Sequence, residues 1–321
     1  MQKFYNKNLS AKDFTKRIKF FAVLFFATLL SVTTVANVYN VTNTTDGFAL
    51  NQLRGAIADA DALGGTHTIN VAAGIYTLTL GEITFGNTAQ NITIIGAGPA
   101  STIISMTTGA GQDRIFFINP SGTTNSPVIT VQGIKFENGY LTSDPYGGAA
   151  ICAGGGTGES LTLTNCIFDN NILPAGDFGG AAVCMQISGS LTVDSCTFTN
   201  NVSNDADGGA ILFIIYGGFG GDLLVTNSTF TGNSVNLSGA GTSNGGAISF
   251  IGQEGASSFS VTINKNTFVN NTADGFGGAI SAYNLPNLAT SQVHFNRFFN
   301  NTSTTSALSS GLHFVESAGS V

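Results

Sequence analysis

The chain has no tryptophan, and only 9% of its 321 residues are charged. With 42% hydrophobic residues it is too apolar for a disordered chain and long enough to bury a substantial core. Basic residues are scarce: there are eleven, and six of them (Lys3, Lys7, Lys12, Lys16, Arg17 and Lys19) precede residue 20. They stand before an uncharged apolar run, FFAVLFFATLLSVTTVA from Phe20 to Ala36, that ends in small residues. A basic start, an apolar stretch and Thr34-x-Ala36 read as a secretory signal peptide over residues 1–36, with an uncleaved anchor helix as the alternative. Cleavage near Ala36 leaves five basic residues against seventeen acidic ones, because Asp13 is the one acid lost, and a net charge of about −12. Such a surface repels phosphate backbones, which argues against nucleic-acid binding, and it tolerates cations. The expectation is a secreted or cell-surface chain with no membrane span after signal cleavage.

Glycine is abundant, with 42 residues, and it recurs in order. GGA triplets begin at Gly147, Gly179, Gly208, Gly245 and Gly277. An F-x-x-N element places Phe168, Phe198, Phe230, Phe268 and Phe298 three residues before Asn171, Asn201, Asn233, Asn271 and Asn301, with a weaker copy at Phe136. Successive phenylalanines are 32, 30, 32, 38 and 30 residues apart. A period of this length means a solenoid, a propeller or an array. Short alternating runs such as LTL, LTV and VTI precede each phenylalanine, and helical periodicity is missing there. Each unit offers about three short strands, which is too few for a propeller blade. The fit is an all-β parallel solenoid of about eight to nine coils, with like residues stacked about 4.8 Å apart. Pairs such as Leu161/Leu163 and Leu191/Val193 then form two inward columns, and anchoring on GGA gives two more: Ala150/Cys152, Ala182/Cys184, Ile211/Phe213, Ile248/Phe250 and Ile280/Ala282. The phenylalanines should stack, and the asparagines should form an amide ladder.

The ends read differently. ALNQLRGAIADADALGG places Leu50, Leu53, Ile57 and Ala60 on one helical face, with Asp46 as a possible N-cap and Gly64-Gly65 as the stop. The organisation read here is a signal peptide over 1–36, an N-terminal segment with a capping helix over 37–66, and β-helix repeats over 67–321, truncated or uncapped at the C-terminus. QLRGAI (Gln52–Ile57) followed by GGTHTINVAAGIYTLT resembles the N-terminal segment of secreted right-handed parallel β-helix proteins of the pectate-lyase-like superfamily. The GGAI and FxxN elements resemble the repeats of polymorphic outer-membrane proteins. The likeness covers about residues 40–315, and Gln52 and His67 depart from the Ser and Asp usual in that segment. The resemblance implies a right-handed β-helix and secretion. It leaves activity open, because lyases, hydrolases and adhesins share the architecture.

Chemistry-bearing residues are thinly spread. Lyase chemistry needs an arginine or lysine base beside carboxylate-bound calcium, and the mature chain offers Arg54, Arg114, Lys135, Lys265 and Arg297. Repeat alignment gives the last four no shared column, so solvated or locally paired side chains are the simpler reading. Hydrolysis needs two carboxylates across a glycosidic bond, for which Asp205 and Asp207 are the weak candidates. Calcium is a further possibility at Asp144, Asp177, Asp207 and Asp274, which precede GGA corners and could stack along one edge; ordinary Asp-Gly turn chemistry competes. Cys152 over Cys184 and Cys166 over Cys196 read as buried free thiols, since stacked strands hold Cβ atoms wider than a disulfide prefers. Finally, Leu212, Ile214, Tyr216, Ile251 and Tyr283 should form an outward apolar strip, either a partner surface or one covered by neighbouring loops. The leading expectation is a non-catalytic, adhesin-like protein that contacts carbohydrate or a surface partner and needs no cofactor. The alternatives are a polysaccharide lyase or glycoside hydrolase, and a structural stalk.

Overall fold

The structure, a computed structural model, describes residues 36–316 apart from 87–89, 110–111, 121, 123–124, 142–145, 155, 175–177, 239–242, 254–257, 286–290 and 305–310. One circuit of the chain runs through Gly189–Asp194, Thr197–Thr199, Val202–Asn204 and Ile211–Ile215 before Gly220–Thr226 begins the next. Each of these strands pairs in parallel with its counterpart one repeat on. Among the described residues four sheets result, of nine, eight, five and eight strands, named first to fourth in the order a circuit visits them. The nine rungs of the first sheet match the expected coil number. The third sheet adds a fourth face to the three expected. Its strands are two or three residues long, too short to register as separate alternating runs in the sequence.

The corners explain the two asparagines of the repeat. The residue after each second-sheet strand is left-handed: Asn138, Asn170, Asn200, Gly232, Asn270 and Asn300 have φ of 61, 54, 55, 64, 54 and 51°. Asparagine and glycine accept that conformation at least cost. The next residue turns inward and is buried. There Asn171, Asn201 and Asn233 each donate Nδ2–H to the Oδ1 of the following asparagine at 2.9 Å. Above them, Phe136, Phe168, Phe198, Phe230, Phe268 and Phe298 stack with centroids 5.2, 4.8, 4.6, 4.9 and 5.1 Å apart. Each fully buried ring contributes roughly 1.5–3 kcal/mol by leaving water. At the preceding corner a shorter ladder does the same work: the Cys166 N–H donates to Cys196 Sγ (3.4 Å), Cys196 N–H to Ser228 Oγ (3.0 Å) and Ser228 N–H to Asn266 Oδ1 (2.8 Å). Cys166 and Cys196 therefore share the column of Ser228 and Asn266, as expected.

The fourth sheet departs from the expected register. Ile151, Val183, Ile211, Ile248 and Ile280 form one inward column, and Ala153, Met185, Phe213, Phe250 and Ala282 the next. The first two copies read GGAA where the later ones read GGA, so anchoring on the triplet misplaces them by one residue. The true anchor is the left-handed glycine of the corner, Gly148, Gly180, Gly208, Gly245 or Gly277, with φ between 66 and 76°. A one-residue slip reverses the face of every side chain on a strand. Cys152 and Cys184 consequently point away from the bore, level with Leu212, Ser249 and Ser281 rather than with Phe213 and Phe250. All four cysteines are buried thiols outside any disulfide.

The helix α1 spans Leu53–Leu63 and buries Leu53, Ala56, Ile57 and Ala60. Leu50 is exposed and lies before the helix. Asp46 is not the N-cap: Gln52 holds that position, and Asp46 instead pairs with Arg54 at 2.7 Å and accepts the Thr79 and Leu80 N–H groups, both at 2.8 Å. The strand Asn37–Val41 precedes the helix and pairs with Gly65–Val71, so the first sheet begins on the N-terminal side of α1.

Candidate binding strip on the fourth sheet

Leu212 and Ile214 point away from the bore but are only 1% and 4% exposed. With Phe117, Cys152 and Cys184 they form a small apolar cluster on the outer face of the fourth sheet, against which the half-buried Tyr146, Tyr216 and Ile251 pack. Ile214 is level with Ile251, and Ile251 with Tyr283, which continues the rim along the solenoid axis. The strip therefore has a buried apolar floor and a half-exposed rim of three tyrosines and an isoleucine. Its floor is braced by Arg114, whose guanidinium lies 4.1 Å over the Phe117 ring. Arg114 also pairs with Glu82 at 2.9 Å and donates to the carbonyls of Tyr146, Gly147 and Gly148. Burial pushes the Tyr216 hydroxyl above its ordinary pKa; burial, helped by the charge of Asp207, pushes Tyr283 up to about 12. Both therefore remain neutral hydroxyls at physiological pH.

The acidic candidates are engaged in holding coils together. Asp205 accepts Ser238 N–H and Oγ–H at 2.5 Å each, Asp207 accepts Asn244 N–H (2.6 Å) and Nδ2–H (3.0 Å), and Asp274 accepts Leu237 N–H (2.8 Å). The carboxylates of Asp205 and Asp207 thus grip different residues of the next coil. Asp207 and Asp274 do not stack: Asp207 is level with Gly179 and holds Asn244, whereas Ala273 pairs with Val235 and sets Asp274 one place on, level with Asn236. The edge expected to carry calcium is therefore not a single file of carboxylates. Asp144 and Asp177 lie outside the described residues. Among the described residues no three His, Cys, Asp or Glu side chains converge as metal ligands.

The basic residues are likewise placed. Arg54 is buried on Asp46 and the carbonyls of Gly81 and Glu82, and Lys135 pairs with Glu137 (2.7 Å) and Asp169 (2.9 Å). Lys265 occupies a left-handed corner. Contrary to the repeat alignment, Lys135 and Arg297 do share a column, each being the residue before a stacked phenylalanine, but they lie five rungs apart. His67 is buried on the Gly64 carbonyl at 2.6 Å, His294 is at a partly exposed outward position, and His313 is level with Ser281.

Sequence reasoning missed Phe117, Tyr146 and Arg114 as parts of the strip. One signal was present: Tyr146, Phe178 and Phe276 each precede a Gly-Gly corner. No helix among the described residues is long and apolar enough to cross a membrane. No curated protein and no solved structure matches the chain significantly. The family described as right handed beta helix region matches residues 115–320, more than half of the chain. Together with parallel, in-register coils closing around one apolar bore, that match establishes that the chain belongs to the right-handed β-helix family.

Proposed function

We propose that the protein is a secreted or cell-surface β-helix that binds glycan chains along the outer strip of its fourth sheet and does not cleave them. The observation that carries this reading is the half-exposed rim of Tyr146, Tyr216, Ile251 and Tyr283 over a buried apolar floor. Tyrosine offers a flat apolar face to the C–H side of a sugar ring and a hydroxyl to its rim, and a strip parallel to the axis suits an extended polymer better than a compact ligand. The occupation of Asp205, Asp207 and Asp274 by contacts to the neighbouring coil supports binding over hydrolysis. An acidic mature surface also disfavours polyanionic glycans, which leaves neutral or amine-bearing ones.

The test uses the mature protein, Asn37–Val321, against immobilised and soluble neutral, acidic and amine-bearing polysaccharides, following both retention and polymer length. Retention of intact polymer that is lost on Tyr216→Ala supports the proposal. Shortened polymer overturns the non-catalytic part, and no retention of any polymer overturns the glycan part.

A further inference from the structure

One end of the strip differs chemically from the rest. The Phe276 ring stacks on His313 with centroids 4.5 Å apart, and Tyr283 meets His313 edge-on at 5.5 Å. Burial lowers the His313 pKa, so the imidazole is neutral at physiological pH and supplies no charge. Asp207 stands at the corner that continues, coil by coil, through Asn244 to Phe276: Gly208 N–H donates to the Asn244 carbonyl and Gly245 N–H to that of Phe276. Its Oδ1 is bound toward Asn244, along the axis in the direction of these rings. The Oδ2 takes no hydrogen bond among the described residues, and the charge of the carboxylate adds to burial in holding the Tyr283 hydroxyl neutral. On the sheet beside them, Ser249 and Ser281 are stacked neighbours with fully buried hydroxyls: that of Ser281 lies toward the Tyr283 hydroxyl, whereas the Ser249 hydroxyl and His313 Nδ1 have no hydrogen-bond partner among the described residues.

The described cations do not neutralise Asp207. Arg54, Arg114 and Lys135 each pair with other carboxylates, Lys265 turns the corner between the first and second sheets, and Arg297 belongs to the outer face of the second. A carboxylate with no countercharge among the described residues, three aromatic rings and the unpaired Ser249 hydroxyl match one kind of group: an ammonium, which donates to the carboxylate and is attracted to ring faces.

We propose that the Asp207–Phe276–Tyr283–His313 end of the strip binds a primary ammonium group, so that the glycan taken by the strip is a polymer of amino sugars with free amines. This rests on the glycan reading above and names its substrate class. Asp207 would set specificity, while Tyr146, Tyr216 and Ile251 would hold the sugar rings whatever their substituent.

The experiment compares three oligosaccharides of equal length and linkage at near-neutral pH: glucosamine, N-acetylglucosamine and glucose oligomers, titrated calorimetrically into the mature protein. The free amine should bind about tenfold more tightly than either neutral oligomer, a preference of about 1.4 kcal/mol. Asp207→Asn should abolish the preference and leave neutral binding unchanged. That variant keeps the Oδ1 acceptor for Asn244 and alters only the unbonded oxygen, so folding should persist. Equal binding of all three by the native protein, or a preference that survives Asp207→Asn, overturns the ammonium site while leaving glycan binding intact. If no oligomer binds, the glycan reading and the amino-sugar assignment both fail. Ethylammonium, titrated against sodium at equal ionic strength, then tests the site itself through the His313 and Tyr283 ring resonances. Shifts absent in Asp207→Asn would support an ammonium site, and none in the native protein would remove it. A lysine peptide that binds where glucosamine oligomers do not overturns the sugar assignment.

Discussion

Asn233 Oδ1 accepts two hydrogen bonds from one residue of the preceding coil, the Asn201 backbone N–H at 3.1 Å and its Nδ2–H at 2.9 Å, while Asn233 Nδ2 also reaches back to the Phe198 carbonyl at 3.0 Å. A single buried carboxamide thus ties together coils that would otherwise present unpaired polar groups inside a turn. Asn233→Ala should lower stability by about 2–4 kcal/mol, because it orphans buried donors as well as removing bonds. Asn200→Gly, at the neighbouring left-handed position, should change stability by less than about 1 kcal/mol. Chemical denaturation of both variants checks the contrast, and equal effects would refute the ladder's role.

The corner glycines make a second contrast. At Gly245, φ is +70° and an added Cβ would lie 2.2 Å from the Ile248 carbonyl oxygen, whereas at Gly98 (φ +121°) it would meet nothing within 4 Å. Alanine is strained at both sites, but only at Gly245 must backbone also move. Gly245→Ala should therefore cost at least about 3 kcal/mol and Gly98→Ala about 1–2 kcal/mol. Thermal melts of the two variants measure the gap.

Two acids bias stability toward low pH. Burial raises Asp207 to about 6, and burial also raises Glu159, which sits inside the bore on Asn119 Nδ2 at 2.6 Å. A carboxyl whose folded pKa lies above its unfolded value favours the fold while protonated, and that contribution falls as pH rises from the unfolded toward the folded pKa. For Asp207 the window runs from the ordinary aspartate value up to about 6. Asp207→Asn should flatten stability across that window and, at pH 7, stabilise the protein by on the order of 2 kcal/mol. Asp194 acts in the opposite sense: the hydroxyl of Thr226 and the amide of Asn227 hold its carboxyl below the usual range, so its contribution is lost on acidification. Denaturant midpoints measured from pH 3 to 8 separate the two.

The four thiols should be silent in the native state. All are buried, and Cys196 is pushed far up by its shared hydrogen bond with Cys166 and by burial, so its thiolate is suppressed. A thiol reagent should find none in the folded protein and four after denaturation without reductant. Fewer than four would reveal a disulfide. Cys166→Ser should cost no more than about 1 kcal/mol, since Ser228 already fills the equivalent rung.

The repeat of glycine, alternating strand, phenylalanine and asparagine was enough to specify parallel coils, the ring stack at Phe168 and Phe198 and the amide ladder at Asn171 and Asn201. Those features follow from local residue type and a period, and stacking identical units leaves few other ways to bury them. The capping helix was legible for the same reason, from the spacing of Leu53, Ile57 and Ala60. The strand face at Cys152 and Cys184 was decided by tertiary register. One extra residue before a left-handed glycine reverses a strand, and a triplet motif does not record which of its glycines makes the turn. The strip was half legible: alternation marks Leu212 and Ile214 as outward, but only the folded chain buries them beside Phe117, Cys152 and Cys184. The commitment of Asp205, Asp207 and Asp274 to neighbouring coils also needed the fold, because the groups they hold lie more than thirty residues away in the chain and one rung away in space.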